Sequence, residues 1–262
     1  MDGASVSVPL IDVIVLLLAA FIPSIIYLVW IRNTERYSRE PYGRLLRVFF
    51  YGAVISILIA IVAELIATGL FNANIERFYQ IFGQNPNLST LVLAIVFAPL
   101  IEELTKSIGV FRVRRAMSDI EDGLIYGAAA GLGFAATENL LYEGTALFTS
   151  GTSVFVQTAV IRSISSALLH ASASAVVGLG IARSFQQGKS WVPYYFIGVL
   201  MHGSFNLFAS LGIIYSSTDV ADLVGITAAL AIAIGGISIV RAKIRTLDLE
   251  TAGLGRRGRM GS

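Results

Sequence analysis

Apolar runs of about 20 residues, the length a helix needs to cross roughly 30 Å of hydrocarbon, recur near 8–31, 46–71, 89–111, 122–142, 163–182, 191–214 and 220–240. No feature of the chain constrains its fold more. In lipid every backbone N–H and C=O must be bonded inside the protein, and for runs this long that means helices. The expected fold class is therefore all-α, a polytopic membrane helical bundle of about seven transmembrane helices. Residues 1–245 would form one bundle, and the Gly/Arg-rich stretch 246–262 a disordered cytoplasmic tail. Composition agrees: 55% of the residues are hydrophobic and only 14% charged, against about 25% charged in an average soluble domain. The absence of cysteine excludes disulfides, thiolate metal sites and a cysteine nucleophile.

The basic residues order these runs. Arg32, Arg36, Arg39, Arg44 and Arg47 follow the first run, and Lys106, Arg112, Arg114 and Arg115 close the third. Arg183 and Lys189 separate the fifth from the sixth, and six more follow the seventh. In all, 17 of the 19 Lys and Arg fall on one side. By the positive-inside rule the N-terminus is outside and the C-terminus cytoplasmic. The opening MDGASVSVPL has no basic n-region, so the first run is expected to be a retained helix and not a signal peptide. The net charge of +2 by itself says nothing about nucleic acid, and with the basic residues placed at the ends of the apolar runs no nucleic-acid partner is expected.

A charged side chain near the bilayer centre costs at least about 2.5–3.5 kcal/mol, so such residues face protein or a wet cavity. Counting about 1.5 Å of rise per residue from the basic loops, Glu102 and Glu103 lie roughly 12–15 Å deep, His170 roughly 18 Å and His202 roughly 16 Å. Three separate runs thus bring their polar groups to one level, including the only two histidines of the chain. Asn206 shares a helix face with His202 at i+4, and Ser166, Ser174 and Gly178 flank His170 at the same spacing. In the fourth run Gly127, Gly131 and Ala135 form a stripe of small residues that admits a close neighbour. Glu138 continues that stripe on the outer side. Pro99, three residues before Glu102, removes a helical hydrogen bond and makes room beside the carboxylates. Arg162 reads as an interfacial residue, Glu64 as structural, and Asp122 as a helix-starting residue.

Buried carboxylate, imidazole and amide together suit the activation of water, with Glu as general base and His or Asn stabilising an oxyanion. The class is hydrolysis, most simply of an amide. A zinc site of two His and one Glu, here Glu102, His170 and His202, would use the same residues. The sequence leaves both routes open, and two histidines exclude a three-histidine site.

The stretches EELTK (102–106), EDGLIYGAAAGLGFAATENLLY (121–142), LLHASASAVVGLG (168–180) and HGSFN (202–206), in this order, resemble the motifs of the PrsW intramembrane proteases, relatives of the CAAX-processing and bacteriocin-immunity proteases. The resemblance covers about residues 95–210, the expected catalytic core. Its EExxK falls on Glu102, Glu103 and Lys106, its motif histidines on His170 and His202, and its ENxxY on Glu138, Asn139 and Tyr142. It implies a multi-pass peptidase of a prokaryotic plasma membrane that cleaves a membrane-anchored protein, for example an anti-sigma factor. It also implies that the first glutamate activates water while the second pairs with the lysine. Expected site residues are accordingly Glu102, Glu103, His170, His202, Asn206 and Glu138, with either zinc or no cofactor. The rival classes are a proton-coupled transporter, which would show paired broken helices that the sequence lacks, and a non-catalytic scaffold of the same fold.

Overall fold

The computed structural model describes residues 9–215 and 218–260, with side chains up to residue 253. The described residues form helices and no strand. In chain order these are α1 (Leu10–Arg32), α2 (Tyr42–Phe50), α3 (Ile57–Asn72), α4 (Ile75–Phe82), α5 (Leu88–Val92), α6 (Ala98–Val113), α7 (Ile120–Ser150), α8 (Thr152–Ile164), α9 (Ser166–Gln187), α10 (Val192–Ala209), α11 (Leu211–Ile214) and α12 (Asp219–Met260). A π-helical turn, Tyr51–Ser56, joins α2 to α3, and a second, Leu93–Phe97, joins α5 to α6.

The centre is the pair α7 and α9. Residues 121–136 of α7 are buried without a break, as are nearly all residues from 165 to 182. Gly and Ala make this possible. A methyl group on Gly131 would collide with the carbonyl oxygen of His170, and one on Gly127 with that of Ser174. The stripe of small residues is therefore a seam of backbone contact that fixes the height of His170 against α7. Helices α1, α3, α6, α10 and α12 surround this pair. The outer helices turn large apolar side chains outward, Leu65 at 69% exposure and Ile239 at 72% among them, as a surface solvated by lipid requires.

Five helical segments are long and apolar enough to cross a membrane: Leu10–Arg32, Tyr42–Asn72, Leu88–Ala116, Thr152–Gln187 and Asp219–Gly253. The runs expected at 122–142 and 191–214 are helical too, as α7 and α10. They fall short in apolarity because α7 is rich in glycine and carries acids, and α10 carries His202 and Asn206, which face protein. Length and composition therefore support five spans and leave the count of seven unsupported by that measure.

The tail also differs from expectation. The α12 helix runs through 246–253, where Leu247 and Asp248 are buried. Asp248 holds the segment down by accepting the backbone N–H groups of Arg36 (2.8 Å) and Tyr37 (3.2 Å). That long-range anchor is invisible in a Gly/Arg-rich composition. Side chains after 253 lie outside the described residues.

At the start of α7 the expected role of Asp122 holds: its Oδ2 accepts the N–H groups of Ser118 and Asp119 at 2.7 and 3.0 Å, satisfying donors left free at a helix start.

Candidate functional site

Glu102, Glu103 and Lys106 lie on α6, His170 on α9 and His202 on α10, and all five are buried. The Lys106 ammonium lies between them. It donates to Glu102 Oε2 (3.0 Å), Glu103 Oε1 (2.9 Å) and His170 Nδ1 (2.7 Å), and sits 4.2 Å from the centre of the Phe134 ring. One lysine thus serves both glutamates, where the resemblance implied a pair with the second alone.

The two carboxylates nevertheless have different surroundings, because adjacent helical residues point about 100° apart. Glu103 turns inward. It accepts from Ser174 Oγ on Oε2 (2.8 Å), and its Oε1 lies 3.1 Å from His202 Nδ1. Glu102 turns toward a cavity of about 480 Å³ whose wall also includes Glu64, Glu138, Tyr142, Arg162, His170 and Asn206. Its Oε1 accepts no hydrogen bond from the described residues, so this oxygen is free for water.

The imidazoles stand edge to face, with ring centres 4.7 Å apart. Each places one nitrogen on a carboxylate: His202 Nδ1 on Glu103, and His170 Nε2 on Glu138 Oε2 at 2.9 Å. Their other nitrogens look toward Glu102 Oε2, His170 Nδ1 at 3.8 Å and His202 Nε2 at 4.0 Å. Glu102, His170 and His202 each offer one donor atom within 4.8 Å of the others. Two imidazoles and a carboxylate, both rings oriented by a second carboxylate, match how proteins prepare histidines for a metal. The residues therefore fit a metal of the zinc class, with the cavity providing the open side.

Glu138 lies where the small-residue stripe placed it, at the outer edge of the group. Its Oε2 is also 2.9 Å from Arg162 Nη2. The interfacial reading of Arg162 is thereby replaced. Its guanidinium also bonds Asn139 Oδ1 (2.9 Å) and Ser166 Oγ (3.1 Å) and lies 3.8 Å from the centre of the Tyr142 ring. The signal was present in sequence, since Arg162 extends the series of Ser166, His170 and Ser174 by one further step of four. Ser174 itself was noted as a neighbour of His170, but its bond goes to Glu103.

Asn206 lines the cavity but does not bond the imidazoles. Its Nδ2 donates to Ala94 O at 2.7 Å. In the π-helical turn the N–H of Ala98 bonds Leu93 O, so the same register would pair Ala94 O with residue 99. That residue is proline and has no N–H. Asn206 supplies the missing donor and ties α10 to the turn that leads into Glu102. Pro99 thus acts by opening a π register just before the glutamates.

A membrane-embedded helical bundle with a buried glutamate and histidine group beside a cavity defines the class as an intramembrane hydrolase with a metal-capable centre. Residues 40–235 match the model of the PrsW family of intramembrane metalloproteases, and the chain belongs to that family. It is 28% identical over 200 residues to Protease PrsW of Clostridioides difficile (strain 630), covering 73% of this chain and 77% of that protein. It is 27% identical over 198 residues to Protease PrsW of Bacillus subtilis (strain 168), covering 72% and 79% respectively. No solved structure matches the chain. The protein is thus a multi-pass intramembrane metalloprotease that acts on a protein within a lipid bilayer.

Proposed function

We propose that Glu102 is the water-activating carboxylate of this protease and that Glu103 holds the site together. The observation that carries this division is that Glu102 is on the cavity wall while Glu103 is enclosed by Lys106, Ser174 and His202. Glu102 Oε1 takes a proton from a water in the cavity while Oε2 stays on Lys106. His202 presents its free Nε2 to the same space, and His170 turns Nδ1 toward it, where Lys106 donates to that nitrogen. Glu138, pinned by Arg162, holds the His170 ring, and Asn206 sets the height of the helix carrying Glu102. In the alternative route Glu102, His170 and His202 would instead hold a zinc ion, with Lys106 giving up its contacts to Glu102 and His170, and the metal would polarise the scissile carbonyl and make water more acidic.

The cavity lies toward the end of the bundle formed by the start of α5, the end of α10 and the later turns of α7. With the N-terminus outside and the C-terminus cytoplasmic, as the basic loops favour, that is the outer half of the membrane. The substrate is then a membrane-anchored protein whose strand reaches the site from that half. A link to the CAAX-processing enzymes rests on the paired glutamates and the basic residue that follows them.

The test is co-expression with single-pass membrane substrates, together with metal analysis of the purified protein. Glu102→Gln, His170→Ala and His202→Ala are expected to lower cleavage at least about 10³-fold, and the two histidine variants to lose bound zinc. Undiminished cleavage by Glu102→Gln would sink the assignment, and full activity after complete removal of metal would exclude zinc.

A further inference from the structure

A second group of buried acids lies far along the chain from the catalytic one. Glu35 follows α1, Glu121 opens α7 and Asp248 is on the last part of α12. All three are almost wholly buried, and each offers a carboxylate oxygen within 4.8 Å of the others. Oxygens on opposite sides of a calcium ion, each at about 2.3–2.6 Å, stand about 4.6–5.2 Å apart. The separation suits one ion.

Among the described residues no cationic side chain meets their charge. Asp248 takes the N–H groups of Arg36 and Tyr37, Glu35 Oε2 takes that of Glu40 (3.0 Å), and Glu121 Oε1 takes the Thr251 hydroxyl (3.3 Å). Among the described residues no Lys, Arg or His side-chain nitrogen comes within 4.0 Å of any of the three carboxylates, the ion pair on this side being Arg44 with Glu40 at 3.7 Å. Arg36 and Arg245 line the adjoining recess of about 230 Å³ beside Asp248 without reaching its carboxylate. Most pointedly, Glu35 is fully buried and its Oε1 has no hydrogen-bond partner. Uncompensated buried anions are costly, and an opposite charge in contact is the usual remedy.

We propose that Glu35, Glu121 and Asp248 form a binding site for a divalent cation of the calcium and magnesium class, distinct from the catalytic centre. The donors are all oxygen, which suits hard cations and not zinc. The ion bridges the segment after α1, the start of α7 and the end of α12. Because α7 also carries Glu138, occupancy fixes the helix that orients His170 against the first and last helices of the bundle.

The experiment uses the full chain purified in detergent and stripped with chelator, then titrated with calcium by equilibrium dialysis and by melting temperature, with magnesium as competitor. The site predicts about one calcium per chain and a rise of about 5–10 °C at 100 times the dissociation constant. Glu35→Gln and Asp248→Asn should each weaken binding at least about tenfold, whereas His170→Ala should leave it intact. In chelator Glu35→Gln should melt no lower than stripped wild type, since the amide relieves repulsion, and this separates lost binding from lost folding. Glu121→Gln provides an independent check. Wild type that takes up neither ion overturns the proposal, as does uptake unchanged in Glu35→Gln and Asp248→Asn. Stabilisation by acid in a protein that takes up no cation even at about pH 8 and saturating calcium would show a proton-sharing cluster and overturn it as well.

Discussion

Lys106 Nζ lies 2.7 Å from His170 Nδ1, so the ammonium donates into the ring and the ring proton belongs on Nε2, facing Glu138. The lysine therefore sets the tautomer of a site histidine as well as neutralising two glutamates. Removing it as Lys106→Met leaves Glu103 buried without a cation, a change that costs about 3–5 kcal/mol when one partner of a buried pair is deleted. A large fall in melting temperature is expected, with loss of cleavage. Adding Glu103→Gln to Lys106→Met should restore much of the stability but not the activity. A double-mutant cycle measures this coupling, and additive losses would show that the two residues act separately.

The bond from Asn206 Nδ2 to Ala94 O has a built-in genetic test. Asn206→Ala leaves a carbonyl unmet and should destabilise the protein by about 1–3 kcal/mol. It should also lower cleavage, because α6 loses its tie to α10 just above Glu102. Pro99→Ala returns an N–H to the position that the π register directs at Ala94 O. In the Asn206→Ala background it is therefore expected to recover stability, while a direct role of Asn206 in chemistry would leave activity unrestored. Melting temperature and cleavage rate of the four proteins decide between these outcomes.

The convergence of Glu102, His170 and His202 was legible in sequence because depth follows from counting residues inward from the basic loops. Rotation about each helix was not. The 100° between Glu102 and Glu103 says that they differ but not which one meets the cavity; that depends on Ser174 and His202 enclosing Glu103. The i+4 spacing of Asn206 to His202 placed both on one helix face, but its partner Ala94 O could not be foreseen, because that is a backbone group left without a donor only by a π turn running into Pro99. The group of Glu35, Glu121 and Asp248 was hidden for a different reason. Its members come from loop, helix start and helix end, at sequence separations that no local period links.

The seam between α7 and α9 is the part of the fold most sensitive to volume. A methyl group added at Gly131 meets the His170 carbonyl oxygen, which belongs to helix backbone and cannot swing away. Gly131→Ala should therefore push the two helices apart, costing about 1–3 kcal/mol as overpacking does. It should also lengthen the contact from His170 to Glu138 and cut cleavage more than stability. Gly144→Ala lies on the same helix in open space and is expected to be neutral or slightly stabilising. Equal melting temperatures for the two variants would show that the seam has slack.

Glu35 makes stability depend on pH in a direction that can be worked out. It lies in the segment between α1 and α2, where burial pushes its carboxyl from an ordinary 4.5 up to about 8. Glu40, Asp248 and Glu121 add repulsion, and the backbone N–H of Glu40 opposes the rise. Between these two values the folded chain holds a proton on Glu35 that the unfolded chain has released. This contribution to stability is therefore complete below about pH 4.5 and is lost as pH rises toward 8. In chelator the melting temperature should fall across that window, and Glu35→Gln should flatten the fall, because an amide does not titrate. Saturating calcium should also flatten it by favouring the ionised carboxylate. The same slope in wild type and Glu35→Gln would assign the pH dependence to other groups.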